Sequence, residues 1–575
     1  MELKQFILNY FPKCNIDDLE NIELCREWEK INNSNQTDIN IILSWPPNLF
    51  IILYSMIEYT DKYRLLVSPQ KHFSWGTNYL DVVKIVSNEW FTLVDLQLGN
   101  KKKNIPTSIL ESYINSIFNK QTLNTCTYDL FEQSNFTYAV FILTLAIDEL
   151  FSNVNICNYK YDNKLQFSLV LRQLLAPKSL RGNLADNDCK LGFVTFKTNV
   201  PQSGLTINNL THNLTFIKPS VSPLVIANKR IKRNYDSKSY NILFLPWPIE
   251  IEEDAFKEVT TTDKLKMDGY FGFFEYSPKK PSSASLFLSS IIAAIKRSGT
   301  IDLIVFPECS LSEDTFQRFK NMLFECFGKD APSLLSGVYA DEGNNVKNVA
   351  KLAFIGDSED FDSVEQNKHH RWFLDNNQLR NYNLSAQLDP GRKWWENIPV
   401  GRRHLVTLHT PDGIKLCPLI CEDLARQEPV AQAVRAVGPN LVVSLLLDGP
   451  QLAQRWPGKY SAVLSDDPGS SVLSVTALGM TLRSTGLGNK PSRGVALWSE
   501  PNKGSETLEI DENGVGIVIG LKLVEEKMWT IDGRSKQKSI LRKQYHSTIY
   551  PENDDTNNAK VPYLKKQLTN LLSRG

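Results

Sequence analysis

Over the first 155 residues, apolar positions recur every three to four residues, as in IPTSILESYINSIFNK and YAVFILTLAIDELF, a spacing that places them on one face of a helix. This pattern predicts a mainly helical domain over residues 1–159, with no role assigned to it. Short extended pieces such as LGFVTFKT and LTHNLTFIKP follow and read as strands. The basic stretch ANKRIKRNYDSKS, Ala227 to Ser239, reads as a solvated linker, so residues 160–239 are taken as a mixed connector. After Tyr240 the rhythm changes. Strongly apolar runs (NILFLPWP, DLIVFPE, LLSGVYA, VAKLAFIG, HLVTLH, GIKLCPLIC, NLVVSLLL, SSVLSVTAL) alternate with amphipathic segments such as SLFLSSIIAAIKRS and EDTFQRFKNMLFECF. Buried strands covered by helices give this alternation, so an α/β domain is predicted over 240–545, with 546–575 as a C-terminal tail.

Composition narrows the possible functions. The chain has 575 residues, with 64 basic and 64 acidic side chains, and this balance offers no electrostatic reason to expect a nucleic-acid or membrane-surface partner. The longest apolar run, Phe136 to Ile147, is about 12 residues and falls short of the ~20 that span a bilayer. MELKQFILNYFPKC has neither a sustained apolar core nor a small-residue cleavage site, so a soluble, cytoplasmic protein is expected. The nine cysteines are odd in number and scattered, and a chain this long needs no disulfides to hold a core, so reduced thiols are expected. No CxxC pair occurs, and His369 and His370 have no second ligand cluster at zinc-like spacing; no metal is expected. Residues 1–239 contain no phosphate-binding glycine loop.

Candidate chemistry lies at strand ends, where reacting groups gather in α/β sheets. In DLIVFPECSL an apolar strand stops and presents Glu308. In GIKLCPLICEDLARQEPV a strand ends at Cys421 and a helix is expected to begin with Glu422, Asp423 and Leu424, which would stabilise a thiolate and lower the cysteine pKa. Asp423 is expected to stabilise that helix start. QNKHHRWFLDNNQLRNYNL carries Lys368, and LDPGRKWWENIPVGRR carries Glu396. Each residue taken alone has an ordinary reading: a loop-opening glutamate, an inert buried cysteine, a solvated lysine, a surface ion pair.

The order strand-FPE, lysine, glutamate, strand-CED resembles the carbon–nitrogen hydrolase, or nitrilase, superfamily. The similarity continues through VGPNLVVSLLLDG, RWPGKYSAVLSDDPGSSVLSVTALGM and GVALWSEPNKGSETLEIDENGVGIVIGLKL, covering about Tyr240 to Leu523. The resemblance implies an αββα sandwich, a Glu308–Lys368–Cys421 triad supported by Glu396, and an oxyanion site formed by Lys368 and the backbone N–H of Glu422. It also implies a small-molecule amide or nitrile substrate, no cofactor, and a homodimer or larger assembly. The family pattern follows the lysine with His-Leu, whereas Lys368 is followed by His369, His370 and Arg371, which leaves Lys393 as the alternative. Trp394 and Trp395 are read either as lining the pocket mouth or as packing aromatics.

The tract from KHHRWFLDNNQL to WWE is similar to nitrilase modules attached to reverse transcriptases in bacterial antiviral systems, although no transcriptase signature is present. That likeness makes antiviral defence an expected context. The CED motif is also similar to glutaminase domains of NAD synthetases, but the SGGxDS-type ATP loop is missing. The helical domain would gate substrate or recruit a protein partner. Two alternatives stay open: a catalytically silent sensor scaffold, and acyl transfer to an amine.

Overall fold

The computed structural model describes residues 1–16, 21–25, 37–97, 107–152, 182–218, 229–230, 239–259, 269–278, 282–339, 347–356, 360–401, 403–410, 413–551 and 561–573. Most of the basic stretch Ala227–Ser239 lies outside them. The chain divides into two compact units. One comprises Met1–Asn228 with Gln432–Gly438 and Glu526–Lys538, and the other comprises the remainder.

In the first unit, the helices Pro46–Thr60 and Ser134–Leu150 are apolar around almost their whole circumference and are buried accordingly. Leu3–Tyr10, Asn78–Gln97 and Ser108–Ile117 belong to the same unit. No described helix is long and apolar enough to cross a membrane. Asp148, which interrupts the apolar run, is fully buried; its carboxylate accepts N–H bonds from His212 at 2.9 Å, Asn213 at 2.7 Å and Leu214 at 2.9 Å, and pairs with Arg534 at 3.0 Å. Burial alone would raise its pKa, but Arg534 and these donors bring it below the usual carboxylate value. The strands Phe193–Phe196 and Leu214–Ile217 pair antiparallel in this unit.

The second unit is built on two large sheets. The first runs Phe361–Asn367, Asn348–Ile355, Ser333–Tyr339, Leu303–Val305, Ser239–Phe244, Gly516–Trp529, Ser535–Ile549. The second runs Gly504–Glu509, Gly494–Glu500, Ser471–Thr476, Leu441–Leu446, Lys415–Ile420, Leu408–His409, Lys229–Arg230. The central strands of each are parallel and buried throughout, which explains their unbroken apolar text. Ile242, Val305, Leu352, Ile420, Val443 and Leu473, drawn from both sheets, share one core. Helices Ala284–Ser298, Glu313–Phe327 and Val561–Leu572 cover the outer face of the first sheet, with Phe287 and Phe319 stacked at 4.0 Å. Trp456–Asp466 packs on the second sheet. The layers of this unit are therefore helix, sheet, sheet, helix.

Three details depart from the sequence reading. HLVTLH contributes only the short strand Leu408–His409. The boundary expected at 545/546 falls inside the strand Ser535–Ile549, and the expected tail contains the helix Val561–Leu572, which buries Leu564 and Leu568. A third sheet, Phe373–Leu374, Lys393–Glu396, Phe271–Tyr276, Phe256–Glu258, was not expected. Its pairing of Lys393–Glu396 with Phe271–Tyr276 is long-range and carries no local turn signal.

The Leu303–Val305 strand ends in Pro307–Glu308, which crosses Gly337 of the neighbouring strand so closely that a Cβ there would meet Cys309 N and Glu308 Cα at 2.4 Å and Pro307 O at 2.5 Å. All three obstacles are backbone, so they cannot rotate aside. Gly337→Ala is expected to destabilise the unit by about 1–3 kcal/mol in a chemical denaturation curve, the usual cost of overpacking. An unchanged midpoint would refute the close approach.

Candidate active site

Glu308, Lys368, Glu396 and Cys421 arrive from four separate segments of the second unit. Glu308 follows the Leu303–Val305 strand, and Lys368 follows Phe361–Asn367. Glu396 closes the short Lys393–Glu396 strand of the third sheet, and Cys421 ends Lys415–Ile420 in the second large sheet. Glu308 and Lys368 are each 1% exposed and Cys421 2%.

Lys368 is the hub. Its Nζ donates to Glu308 Oε1 at 2.7 Å and to Glu396 Oε2 at 2.6 Å. Asn348 Nδ2 closes the ring from the other side, donating to Glu308 Oε1 and Glu396 Oε1, both at 2.7 Å. The backbone N–H of Leu447, just beyond the Leu441–Leu446 strand, donates to Glu308 Oε2 at 2.7 Å. Glu308 thus joins the ends of strands from both large sheets. The backbone N–H of Trp372 donates to Glu396 Oε2 at 3.0 Å. Lys393, the alternative lysine, is exposed.

Electrostatics follow from this burial. Burial raises the Glu308 pKa; Lys368 opposes it and Glu396 adds to it, and the net direction is up. Burial would depress Lys368, yet Glu308, Glu396 and Cys421 together hold it well above the ordinary lysine value, so it stays charged. Burial, then the charge of Glu308, pushes the Cys421 thiol well up, against the pull of Lys368.

The expected helix after Cys421, and the lowered thiol pKa with it, are corrected here. Cys421–Ala425 is a five-residue 3₁₀ turn, too short to present a helix dipole, and the dominant effects on the sulfur are burial and a neighbouring carboxylate. Cys421 has φ of 44°, in the left-handed region that non-glycine residues enter at a cost of order 1–3 kcal/mol, and this bend ends the strand abruptly. Cys309, directly after Glu308, has φ of 48°.

Asp423 has a different task from the one expected. Its buried carboxylate accepts the backbone N–H of His369, with Oδ1 at 3.1 Å and Oδ2 at 3.0 Å, and Oδ1 lies 3.0 Å from His370 Nδ1. It therefore ties the Lys368 segment to the turn that begins at Cys421. Glu422 pairs through its side chain with Arg426 at 2.7 Å. Trp394 is a packing residue, fully buried and bonded through Nε1 to Asp389 O at 2.9 Å; Trp395, half-buried, lies 4.6 Å from the Phe373 ring.

Sequence reasoning missed Asn348, the N–H groups of Leu447 and Trp372, and Asp448. Asp448 stands just past a buried strand, the position that singled out Glu308 and Cys421, and the same rule applied to NLVVSLLLDG would have found it. Among the described residues, no group of three or more His, Cys, Asp or Glu side chains is disposed to hold a metal.

Removing Lys368 leaves two buried carboxylates facing each other. Lys368→Met is expected to lower stability by about 3–5 kcal/mol, the usual effect of deleting one partner of a buried ion pair. Guanidinium unfolding at neutral pH measures this, and a change below 1 kcal/mol would show that the ion set is not held as described.

No family model and no curated protein matches the chain. Among solved structures it is similar to an amidase from Nesterenkonia sp., at 13% identity and a TM-score of 0.30 over 49% of this chain and 90% of that one. It is similar also to a member of branch 10 of the nitrilase superfamily from Saccharomyces cerevisiae, at 14% identity and a TM-score of 0.25 over 55% and 91%. A carbon–nitrogen hydrolase from Helicobacter pylori G27 aligns at 9% identity and a TM-score of 0.26 over 56% and 96%.

Proposed function

We propose that the second unit hydrolyses a non-peptide carbon–nitrogen bond of a small-molecule amide or nitrile through a thioester on Cys421. The observation that carries this reading is the closed ring of Glu308, Lys368, Glu396 and Asn348 acting on a buried thiol. A silent scaffold would gain from apolar residues at these positions, because buried ion sets seldom stabilise a fold more than well-packed hydrophobic side chains do.

For an amide, Glu308 accepts the Cys421 proton as sulfur attacks the carbonyl carbon. A raised carboxylate pKa makes it a stronger base for a thiol that itself resists ionisation. Charge developing on the carbonyl oxygen meets the Lys368 ammonium and the backbone N–H of Glu422, and one such donor is worth about 3 kcal/mol. Glu308 returns the proton to the departing nitrogen. It then takes a proton from the water that attacks the thioester, releasing the acid and restoring the thiol. Glu396 holds Lys368 in position, and Asp423 holds the backbone beside it.

Two measurements test this. Intact mass of protein incubated with a panel of amides and nitriles should show an acyl adduct on wild-type or Glu308→Gln protein that is absent from Cys421→Ala, with ammonia released by wild type. No adduct and no ammonia across the panel would overturn the reading.

The acid limb of kcat/KM reports the coupled Glu308–Lys368–Glu396 set. It should lie above the ~4.3 of an ordinary glutamate, activity rising with pH as Glu308 loses its proton. The Glu396 charge raises Glu308, so Glu396→Gln should move that limb to lower pH. A limb that stays fixed would remove Glu308 as the base.

A further inference from the structure

Asp448 is a buried carboxylate next to the Leu447 anchor of Glu308 that the hydrolytic scheme leaves unused. It is 3% exposed and directly follows Leu447, whose N–H anchors Glu308. Its backbone is fixed on both sides of its Cα: its N–H donates to Thr476 Oγ1 at 3.1 Å and its carbonyl accepts from the same hydroxyl at 2.6 Å. The carboxylate is held on one side only. Oδ1 accepts from Arg455 Nη2 at 2.9 Å and from the buried Tyr382 hydroxyl, while Oδ2 is buried and accepts no hydrogen bond from any described residue. Arg455 is fixed in turn by Pro450 O at 2.8 Å. Through Leu447, whose N–H donates to Glu308 at 2.7 Å, the Asp448 backbone adjoins the buried ion set, and its charge adds to those that raise the Cys421 thiol.

A second acceptor points the same way. Asn348 spends both Nδ2 hydrogens on Glu308 and Glu396, an arrangement that fixes its amide orientation, and its Oδ1 is likewise buried without a donor among the described residues. Buried oxygens without donors are uncommon in folded proteins, and two on residues that are bonded to Glu308 or adjoin its Leu447 anchor match a substrate that brings N–H groups with it. Formal charge agrees, since Glu308, Glu396 and Asp448 outnumber Lys368 and Arg455.

We propose that Asp448 Oδ2 is the recognition atom for a substrate ammonium or amino group, so that the preferred substrates of the site are amides carrying an amine close to the scissile carbonyl. This rests on the hydrolase reading for its reaction, though not for its binding test. Arg455 and Tyr382 are the positioning residues: by occupying Oδ1 they leave Oδ2 as the acceptor a ligand can use.

The test compares glycinamide with propionamide, which have the same heavy-atom skeleton and differ in an ammonium for a methyl. Binding to full-length Cys421→Ala protein is measured near neutral pH by ligand-observed NMR titration, where no turnover intervenes. Glycinamide is expected to bind at least tenfold more tightly. Asp448→Asn in the same background retains an oxygen for Arg455 and Tyr382 but turns the open acceptor into an N–H donor, and should abolish that preference. Equal affinities for the two amides, which need no Asp448 variant to observe, would overturn the proposal, as would a preference that survives Asp448→Asn. A glycinamide preference in a protein that never forms an adduct on Cys421 would count against the hydrolase reading while supporting the recognition role. Adduct formation without the preference would do the reverse.

Discussion

The buried ammonium of Lys368, gripped between Glu308 and Glu396, is the constraint on which the second unit depends. Three charged groups in a nearly dry interior are tolerated only when each is paired and its remaining hydrogen-bonding positions are filled. Asn348, the Leu447 N–H and the Trp372 N–H fill those of the carboxylates, and each arrives from a different strand or loop. The ends of the two large sheets and the small third sheet are therefore tied to a common point by polar contacts, while apolar packing fills the space between the large sheets.

The same closeness sets the electrostatics. Burial pushes both the Glu308 carboxyl and the Cys421 thiol upward, and the Glu308 charge adds to the rise at the sulfur. Lys368 is held charged by the two carboxylates it bridges. The left-handed bend at Cys421 places the thiol at the end of a strand whose residues are all buried.

Much of this was legible in the text of the chain. Unbroken apolar runs ending in FPE and CED marked two strand ends that present candidate site residues, because central parallel strands are buried on both faces and polar residues appear mostly where they stop. Lys368 was legible by order and context, although the residues after it depart from the expected pattern. The third sheet was not, since its strands are two to six residues long and pair Lys393–Glu396 with residues more than a hundred positions earlier. Nor was the pKa of Cys421: the motif suggested a dipole, but burial and the charge of Glu308, both tertiary properties, decide the sign.

Several of the contacts that frame the site are made by peptide N–H groups: Leu447 to Glu308, Trp372 to Glu396, His369 to Asp423. Any residue except proline supplies such a group, so these three contacts ask only that the chain path be kept, and the side chains at 447, 372 and 369 answer instead to packing, since all three are buried. Selection on a site framed this way acts on chain path more than on residue identity. Lineages sharing the same arrangement can keep these contacts through any change of residue that the surrounding packing admits.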